Sequence, residues 1–224
     1  MRNALVLAAA AALGLPALAY AAVVHTILPA PLTTDANFGG GSNDGTGVWF
    51  NPLTGYAEKR GFFFPNPLFE DGKFFLLQDA QFAPTTARIF VQGFFSRGNG
   101  VVYASNTNLN PIRFSAGDIL GPGVGFQSPG AGFSDLGPTF GNFPTGGQGY
   151  LGLTLRDPTG ASSSDIFYGY ADITVDPSTF AVTLNAFAFE NVRNTAITIR
   201  PIPEPAALAL LAPATLLLTR RRKA

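Results

Sequence analysis

Two acidic residues inside predicted strands are the first candidates for chemistry. Asp172 and Glu190 lie in apolar stretches, whereas most other acids of the chain lie in turns. Two carboxyl groups facing each other across a sheet could act as the acid and base of glycoside hydrolysis. We favour the alternative, that both are solvent-facing strand positions. His25 is the single histidine and is either an isolated surface residue or a general base or metal ligand. No nucleophile-elbow motif accompanies it, so no Ser-His-Asp triad is predicted.

Oxygen-bearing side chains also lie in and just before a glycine-rich stretch at residues 39–45. Asp35, Asn43 and Asp44 could contribute ligands to Ca²⁺, which binds several hard oxygen atoms. The spacing fits neither an EF-hand nor a nonapeptide repeat, and a plain flexible loop is the favoured interpretation. We predict no catalytic residue, no metal and no cofactor.

Aromatic residues are the candidates for ligand contact. Jelly-roll domains often bind sugars by stacking them on aromatic faces, and Trp49, Tyr168 and Tyr170 could serve in this way. Exposed rings would favour a carbohydrate-binding module, whereas buried rings would belong to the core. The 21 phenylalanines of the chain favour the second outcome.

The last 23 residues have three parts with different physical properties. Pro203 and Pro205 keep the backbone extended and prevent a helix from starting before Glu204. Residues 206–218 are an uncharged, apolar, helix-forming run that is shorter than the roughly 17–25 residues that span a bilayer comfortably. A basic cluster follows, which favours a cytoplasmic end and an exported domain before it. The cluster consists of Arg220, Arg221, Arg222 and Lys223.

This three-part tail closely resembles the PEP-CTERM sorting signal of exported bacterial proteins. The resemblance implies that an exosortase, a membrane-embedded cysteine protease, recognises the tail and cuts near Pro203, Glu204 and Pro205. These residues would then be a processing site in a substrate rather than an active site. A plain C-terminal membrane anchor is the alternative interpretation.

The N-terminus is consistent with export. Arg2 supplies a positive charge, residues 4–15 are apolar, and small residues allow cleavage after Ala19 or, as we expect, after Ala21. An uncleaved N-terminal helix is the alternative. The predicted organisation is a signal peptide at 1–21, an ectodomain at 22–200 and a sorting signal at 201–224.

Composition limits the class of the ectodomain. Five of the 14 basic residues and one of the 14 acidic residues lie in the two ends, which leaves nine basic and 13 acidic residues between them. A sparsely charged domain with a net charge of −4 is a poor nucleic-acid binder. The chain has no cysteine, so packing must stabilise it without disulfides.

Alternating apolar and polar residues, 26 glycines and 18 prolines predict an all-β fold. Residues 149–156 place Leu151, Leu153 and Leu155 on one face. Residues 167–175 and 180–190 predict two further strands, with strict alternation along the second, and residues 117–149 predict a loop with one or two short strands. Nine or ten strands favour a single antiparallel β-sandwich, jelly-roll-like, between an N-terminal signal helix and a C-terminal sorting helix.

Residues 117–199 are similar to a set of PEP-CTERM ectodomains whose middle strand commonly carries Tyr-Gly-Trp, where this chain has Tyr168, Gly169 and Tyr170. That resemblance implies a β-sandwich and export, without an activity. We expect a non-enzymatic protein of the cell surface or extracellular matrix. It would be anchored transiently in the bacterial inner membrane until an exosortase-type protease processes it. A secreted lectin-like or carbohydrate-active module, with extracellular polysaccharide as partner, is the alternative.

Overall fold

The protein folds into antiparallel β-sheets. The computed structural model describes residues 22–35, 46–61, 74–79, 86–91, 100–102, 110–124, 126–127, 132–137, 142–143, 145–156 and 165–201. These residues form strands, turns and bends, without a helix among them. The all-β prediction is therefore confirmed, and the arrangement of sheets is consistent with a β-sandwich.

Fourteen strands occur in the described part of the chain. They are β1 (Val23–Thr33), β2 (Thr46–Asn51), β3 (Tyr56–Gly61), β4 (Phe74–Asp79), β5 (Thr86–Val91), β6 (Gly100–Val102), β7 (Arg113–Phe114), β8 (Ile119–Leu120), β9 (Phe126–Gln127), β10 (Gly132–Gly137), β11 (Gly147–Arg156), β12 (Ile166–Val175), β13 (Val182–Glu190) and β14 (Ile197–Thr198). One sheet has the order β1-β13-β12-β11-β6-β9, with β7 also paired to β11. A second sheet has the order β10-β5-β4-β2-β3, and β14 pairs with β8 alone.

The three long strands β11, β12 and β13 form the centre of the larger sheet. Each pairs with the next in an antiparallel register, so the chain runs through them as a meander. Leu151, Leu153 and Leu155 are fully buried on the side that faces the second sheet, as the alternation predicts. Because successive side chains point to opposite faces, the residues between them lie on the other side. We call that other side the outer face.

The main core lies between the two sheets. The smaller sheet contributes apolar side chains from β2, β4 and β5, and the larger sheet contributes residues from β11, β12 and β13. Phe50 contacts Phe74 within its own sheet, and it contacts Phe187 of β13 with ring centroids 5.6 Å apart. The 21 phenylalanines thus supply part of the packing that a chain without cysteine requires.

A second apolar cluster covers part of the outer face. Leu120 of β8, Ile197 of β14 and Ile199 are buried there against three tyrosines of the larger sheet. The tyrosines are Tyr150, Tyr168 and Tyr170. The small β8–β14 sheet therefore buries the middle of the outer face instead of leaving it to solvent.

The strict alternation predicted for β13 is wrong because a β-bulge interrupts the strand. Ala186 pairs with Asp172, whereas Leu184 pairs with Ile173, so Asn185 is an extra residue on β13. A bulge of one residue reverses which face the following side chains occupy. Val182 and Leu184 consequently belong to the main core together with Phe187, whereas Ala188 belongs to the outer cluster.

Other elements differ from the sequence-based expectations. Val23–Thr33 forms an edge strand, β1, and Pro29 and Pro31 lie where its pairing with β13 is interrupted between Ile27 and Leu32. Tyr56–Gly61 forms a strand that composition did not indicate. The 117–149 stretch contains β8, β9 and β10, more than the one or two strands predicted.

Several predicted segments lie outside the described residues. They are the signal peptide at 1–21, the apolar run at 206–218 and the basic cluster at 220–223. Within the described ranges, no helix is long and apolar enough to cross a membrane.

Candidate functional site

Five of the candidate residues lie on the outer face of the larger sheet. Tyr168, Tyr170 and Asp172 alternate along β12, and Glu190 lies near the end of β13. His25 on β1 pairs with Ala188, which in turn pairs with Tyr170. The topology thus brings together residues separated by as many as 165 positions in sequence.

Asp172 is a buried carboxylate held by two side-chain amides. Its side chain is 4% exposed. Gln148 Nε2 donates to both carboxylate oxygens at 3.0 and 3.1 Å, and Asn185 Nδ2 donates to Oδ1 at 3.0 Å. Asn185 also donates to the hydroxyl of Thr174 at 3.0 Å. The expectation that Asp172 faces solvent is wrong. Asn185 in the bulge and Gln148 on the neighbouring strand donate hydrogen bonds to the carboxylate, and these bonds offset the free-energy cost of burying it.

Glu190 is also buried, at 3% exposure, which corrects the same expectation for this residue. The N–H of Val192 donates to its Oε1 at 3.2 Å. Asp172 pairs with Tyr150 and Ala186, whereas Glu190 pairs with Val23. The two acids are four residues apart along the sheet, about 13 Å, so they do not oppose each other across adjacent strands. That separation exceeds the roughly 5–9.5 Å between the two carboxyl groups of glycosidases.

The outer-face tyrosines are buried, so their ring faces are not open to a ligand. Tyr170 is fully buried, and Tyr168 and Tyr150 are nearly so. The Tyr150 and Tyr170 rings meet edge to face with centroids 5.7 Å apart. Burial raises the pKa of all three hydroxyl groups, and the Asp172 carboxylate adds to the rise for Tyr150. Neither Tyr168 nor Tyr170 is placed to stack on a sugar in this conformation.

Tyr170 instead holds a backbone segment. Its hydroxyl donates to the carbonyl oxygen of Arg200 at 2.9 Å and accepts from the N–H of the same residue at 3.3 Å. The charge of Arg200 also acts on His25, an exposed residue of β1 whose pKa is lowered first by the partial desolvation of its imidazole and then by that charge. Sequence reasoning missed Arg200, Gln148 and Asn185, because nothing in their local pattern indicates the long-range partners.

Trp49 lies on the smaller sheet, away from the tyrosines. It is half-buried, and its ring packs on Phe75 of β4 with centroids 4.5 Å apart. Phe75 is fully buried and also lies over Gly47. The three aromatic residues singled out from the sequence therefore do not form one row.

Asp35 is engaged in an ion pair rather than available as an open ligand. Lys59 Nζ and the hydroxyl of Thr46 both donate to its carboxylate, which lowers its pKa. Asn43 and Asp44 lie outside the described residues. No group of three or more metal-ligating side chains occurs within the ranges that the structure describes.

These contacts describe a polar network that organises the sheet. Within the described residues, Asp172 and Glu190 do not oppose each other across adjacent strands, and His25 belongs to no group of three or more metal-ligating side chains. Pro203, Glu204, Pro205 and the basic cluster at 220–223 lie outside the described residues.

Comparison with protein-family models, curated proteins and solved structures finds no match to this chain.

Proposed function

We propose that this protein is a non-enzymatic, exported protein of the cell surface or extracellular matrix, sorted and processed through its C-terminal tail. The observation that carries the proposal is the order of features at residues 203–223. A Pro-Glu-Pro motif precedes a short apolar run, and a basic cluster follows it. The apolar stretch after Arg2 supports export from the other end of the chain.

The partners follow from the chemistry of the tail. An exosortase-type membrane protease recognises Pro203, Glu204 and Pro205, while the apolar run lies in the bacterial inner membrane and the basic cluster stays in the cytoplasm. The mature product spans about residues 22–200 and retains a jelly-roll-like β-sandwich. Its net negative charge disfavours nucleic acid as a partner.

The carbohydrate-binding alternative is less well supported. It requires aromatic rings with open faces, and Tyr168 and Tyr170 are buried. Trp49 remains partly exposed, although one face of its ring packs on Phe75. Extracellular polysaccharide is therefore a secondary candidate partner, and a glycan array probed with the mature protein tests it.

Mass spectrometry of the protein from its native host tests the proposal. We expect an N-terminus at Ala22 and loss of the residues beyond about Pro205. A variant with Pro203, Glu204 and Pro205 all replaced by Ala should retain the tail. The control Lys223→Arg keeps the charge of the basic cluster and should be processed normally. Wild-type protein that reaches the cell surface with residues 220–223 intact would contradict the proposal.

A further inference from the structure

The end of the ectodomain is fastened to the outer face of the larger sheet. Ile197 and Ile199 are each only 1% exposed and pack in the outer cluster. Ile197 pairs with Leu120 and Thr198 pairs with Ile119 in the β8–β14 sheet. We call residues 197–200 the C-terminal clasp.

Backbone hydrogen bonds hold the clasp along its length. The N–H of Ile199 donates to the carbonyl oxygen of Asp118 at 2.8 Å, and the N–H of Gly117 donates to the carbonyl oxygen of Ile199 at 2.9 Å. The buried hydroxyl of Tyr170 binds both the N–H and the carbonyl oxygen of Arg200. The main-chain groups of Ile199 and Arg200 are therefore occupied within the folded domain.

The clasp ends immediately before the proposed processing motif. Arg200 and Pro203 are three residues apart, which is at most about 10–11 Å of extended chain. A partner that binds an extended segment gains affinity from hydrogen bonds to that segment's main chain. The main-chain N–H and carbonyl groups of Ile199 and Arg200 already form hydrogen bonds within the domain. A protease that binds the chain upstream of the motif must therefore compete with these bonds.

We propose that the C-terminal clasp is an autoinhibitory contact that limits the rate at which the sorting tail is cut. The protease engages the motif productively when residues 197–200 leave the outer face, and Tyr170 is the positioning residue that keeps them there. This inference rests on the proposed function, since it concerns the regulation of the same processing site.

Pulse-chase processing in the native host provides the main test. Tyr170→Phe removes the hydroxyl that binds Arg200 but keeps the ring in the outer cluster. Losing hydrogen bonds of ordinary strength should raise the open population, and with it the processing rate, about three- to tenfold. Tyr150→Phe is the matched control, because it deletes the same atom from the neighbouring ring and leaves both contacts of Arg200 intact. Its rate should equal that of the wild type.

A second variant opens the clasp from its other side. A Cβ on Gly121 would lie 2.6 Å from the Cβ of Ala196, directly before the clasp. Gly121→Ala should therefore also accelerate processing, and it keeps the inference testable if Tyr170→Phe fails to fold. Hydrogen exchange on the full-length chain, with the motif replaced to prevent cutting, should show faster exchange of the Ile199 and Arg200 amides in both variants.

The outcomes separate the two proposals. An unprocessed wild type would overturn the proposed function and this inference together. A processed wild type with unchanged rates in the opened variants would overturn the clasp alone, and so would unchanged amide exchange. Faster processing and faster exchange in both variants, with a wild-type rate for Tyr150→Phe, would support it.

Discussion

At the scale of single residues, the outer face buries polar atoms that find their partners far away in sequence. Asp172 accepts from Gln148 and Asn185, and the Tyr170 hydroxyl binds both main-chain groups of Arg200. A buried polar atom without a partner costs more free energy than a typical hydrogen bond contributes. Each of these contacts consequently fixes the position of one element relative to another.

Removal of the Asp172 carboxylate should destabilise the protein. Asp172→Ala leaves the half-buried Asn185 amide without its carboxylate acceptor, and we expect a loss of about 1–3 kcal/mol in the free energy of unfolding. Asp172→Asn retains one acceptor oxygen and should cost less. Urea denaturation measures both variants. In a double-mutant cycle, Asn185→Ala should cost less when Asp172 is already Ala. Strict additivity would show that the contact contributes nothing.

Gly47 makes the packing of Phe75 possible. A Cβ at this position would lie 2.1 Å from the end of the Phe75 ring and 2.5 Å from the carbonyl oxygen of Leu76. We expect Gly47→Ala to lower the free energy of unfolding by about 1–3 kcal/mol. Phe75→Leu removes the ring contact but not the main-chain contact, so the double variant should show partial rescue in denaturant melts. Loss of stability equal to the sum of both single changes would contradict this explanation.

At the scale of elements, the turn between β12 and β13 has its own stabilising contacts. Asp176 Oδ1 accepts from the N–H of Ser178 at 2.9 Å, from the N–H of Thr179 at 2.7 Å and from the Thr179 hydroxyl at 3.0 Å. These bonds lower the pKa of Asp176. They also fix the turn that precedes Phe180, whose φ of 58° is unusual for a residue with a side chain. The Asp-Pro-Ser-Thr sequence predicts this turn for the same reason.

We expect Asp176→Ala to lower the thermal unfolding midpoint at pH 7, whereas Asp176→Asn, which keeps the side-chain oxygen, should have a smaller effect. The folded-state pKa lies below the ordinary value of 3.8. The contribution of the charge is therefore present above that value and is lost as the pH falls through the folded-state pKa. Melts at pH 7 and pH 2.5 test this. An Ala variant that is equally destabilised at both pH values would show that the ionised carboxylate is not responsible.

Local patterns predicted the long strands better than their faces. The alternation of Leu151, Leu153 and Leu155 identified both the strand and its buried side, because no bulge interrupts β11. On β13 the extra Asn185 reversed the faces, and a bulge depends on the pairing with β12 rather than on the sequence of β13 alone. Strand β3 escaped prediction because its charged residues, Glu58, Lys59 and Arg60, resemble a loop.

The candidate site was less predictable than the strands. Asp172 and Glu190 stood out correctly as acids within strands, but their burial depended on neighbours that only the fold supplies. The same holds for Tyr170, whose partner Arg200 is 30 residues away in sequence. Sequence alone gives the face on which a residue lies when the register is regular. It does not give the element that later covers that face.

At the scale of the whole molecule, the first strand and the C-terminal clasp lie one strand apart on the larger sheet. The N–H of Ala22 donates to Asn191 Oδ1 at 3.0 Å, and the first strand continues alongside β13. His25 pairs with Ala188, and Ala188 pairs with Tyr170, which holds the C-terminal clasp. A single strand therefore separates the beginning of the predicted mature chain from its end.

This proximity makes His25 a reporter of the folded arrangement. Although His25 is exposed, partial desolvation of its imidazole and the charge of Arg200 lower its pKa below the ordinary value of 6.5. As the pH falls below 6.5, the unfolded chain takes up the proton before the folded protein does. Stability should therefore decrease until the pH has passed through the lower, folded-state pKa, and it should then level off. NMR titration of the single histidine measures the pKa directly.

Two variants separate the causes of the His25 shift. Arg200→Gln removes the charge, so the His25 pKa should rise but remain below 6.5, because burial is the larger cause. His25→Asn should flatten the pH dependence of the unfolding midpoint between about pH 5 and 7, where no other side chain of ordinary pKa titrates. Added salt should reproduce part of the effect of Arg200→Gln by screening the exposed charge. A folded-state pKa at or above 6.5 in the wild type would contradict both causes, the desolvation of the imidazole and the charge of Arg200.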